Sequence, residues 1–443
     1  MLRRLSIPSS RALALALPLA LALACGGERD AEPPAAPAAE PAAPPATAEP
    51  AAPPATADLA PSSTTPADLP VGLMLALSPF EVSPEGKVLP KPQAARLEIL
   101  LRRGGEWTLT AIEDPDSNVF HKAMAYRDGI LTLGGSAAAL KLWRKGPDGF
   151  VAETLWTRDF GGKFSRMRDA EIADFDGDGE PDLAVATHDQ GVVAIVKPRE
   201  DGSWDVTELD AEKDTFVHEI EIGDLDGDGV LEVYATPSEP NRLDGTSQHG
   251  TVTRFVPAQG GGPVEIADLG DRHAKEILVD DVDGDGRDEL YVAVEAVSGG
   301  QVEIRRYDAN TDPKAGALIA TLDDTQTRFL TAGDIDGDGQ REMVAAGMRS
   351  GLWLLRPGTP PATIRWKMSL IDAESGGFEH ASILADLDRD GRDELYVASD
   401  KQGEVRRYVW HDGRWAKEVL HTREPVGSAF TWGVTPVPVE LVE

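Results

Sequence analysis

Asp174-Phe175-Asp176-Gly177-Asp178-Gly179-Glu180-Pro181-Asp182 decides the fold, because the chain writes it four more times, from Asp224, Asp281, Asp334 and Asp386. Successive copies start 50, 57, 53 and 52 residues apart. Each places carboxylates at positions 1, 3, 5 and 9 and Gly at position 6, then runs into a short apolar stretch such as Leu290-Tyr-Val-Ala-Val. Alternate carboxylates in a tight loop suit a hard cation that takes six to eight oxygens in irregular geometry, which points to calcium, up to five ions. The expected side-chain ligands are Asp174, Asp176, Asp178 and Asp182; Asp224, Asp226, Asp228 and Glu232; Asp281, Asp283, Asp285 and Glu289; Asp334, Asp336, Asp338 and Glu342; Asp386, Asp388, Asp390 and Glu394. Position 7 (Glu180, Val230, Arg287, Gln340, Arg392) adds a backbone carbonyl. The glycine at position 6 permits the positive φ that such a turn needs. An EF-hand is excluded, since it needs a bidentate Glu at position 12, where Val185, Ala235, Val292, Ala345 and Val397 stand. Solvated Asp-Gly turns are the plain alternative. They do not explain five copies in one register, whose carboxylates repel one another without a cation.

Between these turns recurs a second unit of strand, Gly- or Pro-rich turn and strand, as in Val192-Val-Ala-Ile-Val…Trp204-Asp-Val-Thr-Glu-Leu. Seven such hairpins occur, with apolar and polar residues alternating as half-buried strands require. Residues 71–443 divided by seven give about 53, the observed period. Four short strands per period, repeated radially, make an all-β, seven-bladed β-propeller; six or eight blades are the alternatives. The second blade keeps no cage at Tyr126-Arg127-Asp128-Gly129, and the first lacks its innermost strand. The C-terminal Phe430-Thr-Trp-Gly-Val can supply that strand and remove the open edges.

Residues 1–24 read as a signal peptide, with Arg3, Arg4 and Arg11 ahead of a short apolar run. Cys25, the only cysteine, directly follows Ala22-Leu23-Ala24 and is the expected lipidation site, although a lipobox prefers Leu where Ala22 stands. Residues 25–70 are a Pro- and Ala-rich tether too poor in large apolar residues to fold. The chain is therefore expected to be exported as a membrane-anchored lipoprotein of the cell envelope, periplasmic or surface-facing, with plain secretion as the alternative. Segments 1–24 and 25–70 carry +3 and −6 of the total charge of −33, which leaves −30 on residues 71–443. Such a surface excludes nucleic acid, whose phosphates demand Lys and Arg. Membrane contact is expected through the N-terminal lipid only, and the protein as a monomer.

The Asp-x-Asp-Gly-Asp-Gly-x-x-Asp/Glu turns between strands at this spacing resemble the FG-GAP/VCBS repeat family, which includes the propeller of integrin α subunits. The resemblance is close over residues 165–420 and departs at Arg389, where Gly is usual. It implies a calcium-stabilised propeller used for adhesion or partner recognition, and only occasionally for catalysis; that step is analogy.

Six residues before position 1 stand Arg168, His218, Lys275, Arg328 and His380, with His121 at the matching place of the second blade. In a domain this acidic, a basic or titratable residue at one level in six blades predicts a mouth, opposite the calcium turns, that binds an anionic group of a protein or glycan ligand. The structural alternative is that Asp169, Glu219 and Glu276, next in line, pair with these bases. Phe120, Phe164, Phe216 and Phe378 precede them, either stacking on a sugar or packing between blades. The polar loop Pro237–His249, with Glu239, Asn241, Arg242, Asp244 and His249, is a second candidate surface on that face. No nucleophile elbow, zinc motif or phosphate loop appears, no catalytic residue stands out, and the chain is expected not to be an enzyme. The competing expectation is a carbohydrate-active lyase or hydrolase, which would need a carboxylate or Lys of perturbed pKa at the mouth.

Overall fold

The computed structural model describes residues 71–443 except 137, 160–164, 200, 241, 243–245, 261 and 359–365, together with the backbone of Ala57–Asp58. The signal segment, Cys25, Phe164, Asn241 and Asp244 lie outside the described residues.

Seven antiparallel sheets follow one another along the chain. Blade two is Phe120–Tyr126, Gly129–Gly134, Ala138–Gly146 and Gly149–Arg158, and blade three is Met167–Ala173, Asp182–Thr187, Val192–Pro198 and Trp204–Ala211. Blade four is Phe216–Gly223, Glu232–Ser238, Thr251–Phe255 and Val264–Asp268; blade five is Ala274–Asp280, Glu289–Val294, Val302–Tyr307 and Ala317–Leu322. Blade six is Thr327–Gly333, Glu342–Gly347, Gly351–Arg356 and Lys367–Asp372, and blade seven is Ser382–Ala385, Glu394–Ser399, Glu404–His411 and Arg414–Thr422. Blade one joins both ends of the chain. Its innermost strand is the C-terminal Ala429–Pro436, paired antiparallel with Val71–Val82, which is followed by Ala95–Arg103 and Glu106–Asp114.

The second strand of blades two, three, five, six and seven is buried at every residue, because a neighbouring blade covers each face. Its apolar run is thus continuous, where outer strands alternate. Seven apolar clusters fill the seven blade interfaces. Leu183 and Val196 of blade three meet Leu131 and Leu142 of blade two, and Leu73 and Val434 of blade one meet Tyr396 and Val405 of blade seven. No interface is left open, so the ring is closed by packing as well as by hydrogen bonds.

The closing strand is also pinned at its side chains: Asp400 of blade seven accepts from the Thr431 amide (2.6 Å) and hydroxyl (2.8 Å). Deleting residues 429–443 exposes the edge of Val71–Val82 and two apolar interfaces at once. The truncated chain should lose the single cooperative transition of the intact protein in scanning calorimetry and bind a hydrophobic dye.

Candidate functional site

Two sites are built on opposite ends of the innermost strands. At one end are the five acidic turns. In each, the position 1 carboxylate accepts the amide of the position 6 glycine (2.8, 2.7, 2.9, 2.9 and 3.0 Å), whose φ lies between 83° and 88°. Arg389 takes φ 58°, so the fifth turn keeps the shape that glycine gives the others at position 4. The position 7 amides donate to the position 5 carboxylates at 2.8–3.1 Å. Carboxylate oxygens within 4.8 Å of one another are offered by Asp281, Asp283, Asp285 and Glu289, and by Asp386, Asp388, Asp390 and Glu394. Three come from Asp174, Asp176 and Asp182, from Asp224, Asp226 and Asp228, and from Asp334, Asp336 and Glu342. These sets could hold metal ions, and all-oxygen donors suit a hard one.

A chain cation already stands behind every cage. Lys197, Arg254, Arg306, Arg356 and Arg407, from the third strand, bridge positions 3 and 9 in the five turns, for example Arg356 at 2.9 Å from both Asp336 and Glu342. The carboxylates are therefore not left to repel one another, as the sequence suggested; one charge in each cage is answered by the protein. It is not enough. Burial pushes Glu289 up to about 8 and Glu342 and Glu394 up to about 7 despite the guanidinium against each. A cation at the free oxygens would hold these groups ionised.

At the other end is the channel mouth. In blades two to six the innermost strand carries a β-bulge at the ring position, between Phe120 and Ala123, Met167 and Asp169, Val217 and Ile220, Ala274 and Ile277, and Thr327 and Leu330. A bulge re-aims side chains. Here it turns both the basic residue and its successor away from the blade stack. Arg168, His218, Lys275 and Arg328 come together, all buried. Glu379, wholly buried beside blade seven, takes Arg328 bidentately at 3.0 Å and stands 3.8 Å from Arg168. Glu295 of blade five takes Lys275 (3.2 Å) and Arg328 (3.4 Å). His121 and His380 have other work. His121 Nδ1 lies 2.6 Å from the Met167 carbonyl, and His380 lies between the Gly347 carbonyl (2.7 Å) and Ser375 Oγ (2.7 Å).

The acids that follow the ring do not pair with it. Asp169 binds Lys122 (2.8 Å) and the Ile220 amide (2.9 Å), and Glu276 the Leu330 amide (2.7 Å), so each ties its blade to the next. Phe120 is core, against Trp143. Phe216 packs on His188, whereas Phe378 lies under Arg328 and Trp432 under Arg168, at 5.1 and 5.3 Å. In the Pro237–His249 loop, Arg242 pairs with Glu239 (3.1 Å) and His249 Nδ1 meets the Gly270 carbonyl. Sequence reasoning missed Glu295, Glu379, Trp432 and Lys122, which converge only when the ring closes. It could have found the third-strand cations, which stand immediately before an aromatic residue or proline in all five hairpins.

The sequence matches the FG-GAP-like repeat family over residues 133–235 and 281–345, a span that takes in the first four turns. This chain is a β-propeller that carries FG-GAP-like repeats. Among curated proteins none matches the sequence. Solved structures similar to it include a Pseudomonas aeruginosa periplasmic gluconolactonase, 15% identical, with TM-score 0.50 over 84% of this chain and 99% of that one. A Synechocystis apocarotenoid oxygenase variant is 11% identical, with TM-score 0.50 over 84% and 93%. A Lactobacillus plantarum protein is 12% identical, with TM-score 0.50 over 83% and 100%. At these identities the likeness shows the fold and gives this propeller no activity. It does correct the expectation of a non-enzymatic protein, which rested on missing linear motifs: propellers of this architecture include enzymes by name. At the mouth, Lys275 meets the condition set for the competing expectation of an enzyme, a Lys of perturbed pKa. Burial pulls it down to about 8, against the raising effect of Glu295.

Because its folded pKa is depressed, Lys275 costs stability while both states hold the proton. That cost is relieved as pH rises from about 8 to 10.5, by about 3 kcal/mol. Chemical denaturation across that window should show stability rising for the wild type relative to Lys275→Met, with the two curves parallel below pH 7.

Proposed function

We propose that this propeller is a calcium-stabilised capture module, tethered to the cell envelope through Cys25, whose channel mouth takes the anionic group of a glycan or sugar acid. The single observation that carries the reading is His218. The residue is 1% exposed, yet neither ring nitrogen has a hydrogen-bond partner among the described residues, although Arg168, Lys275 and Arg328 surround it. A buried polar group without a partner calls for an explanation, and an absent ligand is the one that fits a ring of cations. Arg168 supports this, with no carboxylate nearer than 3.8 Å among the described residues and Trp432 beneath its guanidinium. Burial and the nearby cations hold His218 well below its usual pKa, so it is a neutral donor or acceptor at pH 7. A second reading, turnover of the captured sugar acid, is favoured by Lys275, whose pKa lies near that of a working general base.

The turns serve the mouth indirectly, by fixing the strands that end there. Calcium at 100 times its Kd should add about 2.7 kcal/mol per filled turn. Melting should rise in calcium relative to chelator, and identical melting in both would refute calcium at the turns. Binding of galacturonate oligomers, followed calorimetrically in calcium, should weaken at least tenfold in Arg168→Ala and His218→Ala. Unchanged binding in both variants would move the site elsewhere, and product appearing on incubation would favour turnover. Palmitate labelling that vanishes in Cys25→Ser tests the tether.

A further inference from the structure

The channel has a second tier, and the mouth reading does not use it. The residues that follow the ring, and those two further along each strand, place Lys122 among Asp169, Glu171, Glu219, Glu221 and Glu276. One cation stands among five carboxylates, directly below a mouth whose cations have spare donors. Three of the acids have evident structural duties. Asp169 and Glu276 bind the backbone of the next blade, and Lys122 holds both Asp169 and Glu171. Glu219 and Glu221 form no ion pair among the described residues; Glu219 shares a hydrogen bond with Asp169, Glu221 has no such partner, and both keep partial contact with solvent. Burial and the neighbouring carboxylates push both well up, and the one nearby ammonium, Lys122, does not offset them.

We propose that the ligand captured at this mouth is zwitterionic, its anionic end on Arg168 and His218 and its ammonium end on Glu219 and Glu221. The proposal rests on the mouth reading and sharpens it. Two observations meet in one bulge: His218, nine-tenths buried and unpartnered, and Glu219, which follows it. A metal ion fits this tier poorly. Among the described residues, the carboxylate sets close enough to cage an ion are those of the five turns, and the channel acids are not one of them. Carboxylates spread wider than a metal cage suit an ammonium group, which directs its N–H donors outward to separate acceptors. The reach of the ligand follows from the strand. His218 lies one residue from Glu219 and three from Glu221, so at about 3.3 Å per residue the two charges should stand about 3–10 Å apart. That interval spans the charge separations of an α-amino acid and a short ω-amino acid, which serve as minimal probes for a sugar acid that also carries an ammonium group.

The test uses the full chain in calcium, titrated calorimetrically with glycine, 4-aminobutanoate and 6-aminohexanoate. Butanoate and butylamine serve as probes that carry one charge each. At least one amino acid should bind tenfold more tightly than either single-charge probe. Binding should release protons, read from two buffers of different ionisation enthalpy, because Glu219 and Glu221 ionise when the ammonium arrives. In the shape-matched double variant Glu219→Gln, Glu221→Gln, the preference for amino acid over butanoate should fall to about one and proton release should vanish. Its melting curve shows whether it folds, and Glu221→Gln alone serves if it does not. Butanoate binding as tightly as every amino acid would overturn the zwitterion and leave the anion-binding mouth standing. Butylamine binding alone would overturn both, and no binding by any probe would overturn the zwitterion.

Discussion

A carboxylate buried at position 9 of each turn is the constraint on which the blades depend. It begins the second strand, where packing by two neighbouring blades leaves no water to solvate it. It must therefore be answered from within the sheet. The answer comes from the third strand, as Lys197, Arg254, Arg306, Arg356 or Arg407. In three turns it also comes from the turn itself, where the position 2 amides of Phe175, Leu225 and Ile335 donate to the same group. One charged group thus fastens the second strand to the third and to the turn that leads into it. Where Tyr234, Tyr291 or Tyr396 faces the cage, its hydroxyl adds a further donor, and the arginine stands opposite that tyrosine in the sheet. Metal at the outer oxygens would complete a charge balance that the chain itself leaves unfinished.

The other ends of the same strands show the opposite arrangement. There the bulges break the ladder and free amides that the preceding blade must satisfy, as Asp169 does for Ile220 and Glu276 for Leu330. A bulge repeated in five consecutive blades aims paired side chains into the channel, so charges gather at the one place where seven strands approach one another. Most are neutralised by neighbours. Those that are not, His218 at the mouth and Glu219 and Glu221 beneath it, mark where the packing leaves chemistry unused.

Much of this was legible in the residues. Position and spacing of the acids fixed the turns, their period pointed to seven blades with six or eight as alternatives, and Phe430-Thr-Trp-Gly-Val was readable as the strand that closes the ring. The ring of bases was readable as a recurrence, but its energetics were not. His121 and His380 look equivalent to His218 in the sequence; they differ because Met167, Gly347 and Ser375 happen to face them, which depends on contacts between blades. Asp169 looked like a partner for Arg168, and the bulge sends it to the neighbouring strand instead. Glu295 and Glu379 lie in segments with no repeat, so nothing local distinguishes them from surface acids. The expectation of a non-enzyme failed for a related reason: absence of a linear motif says little where a site is assembled from seven separated strands.

The most direct test is a crystal structure of the chain grown in calcium with galacturonate. The account predicts a carboxylate within about 3.2 Å of a His218 ring nitrogen and of the Arg168 guanidinium. It also predicts an ion in the acidic turns, opposite their third-strand cations. His218 with both nitrogens engaged by protein groups, and no ligand at the mouth, would contradict it.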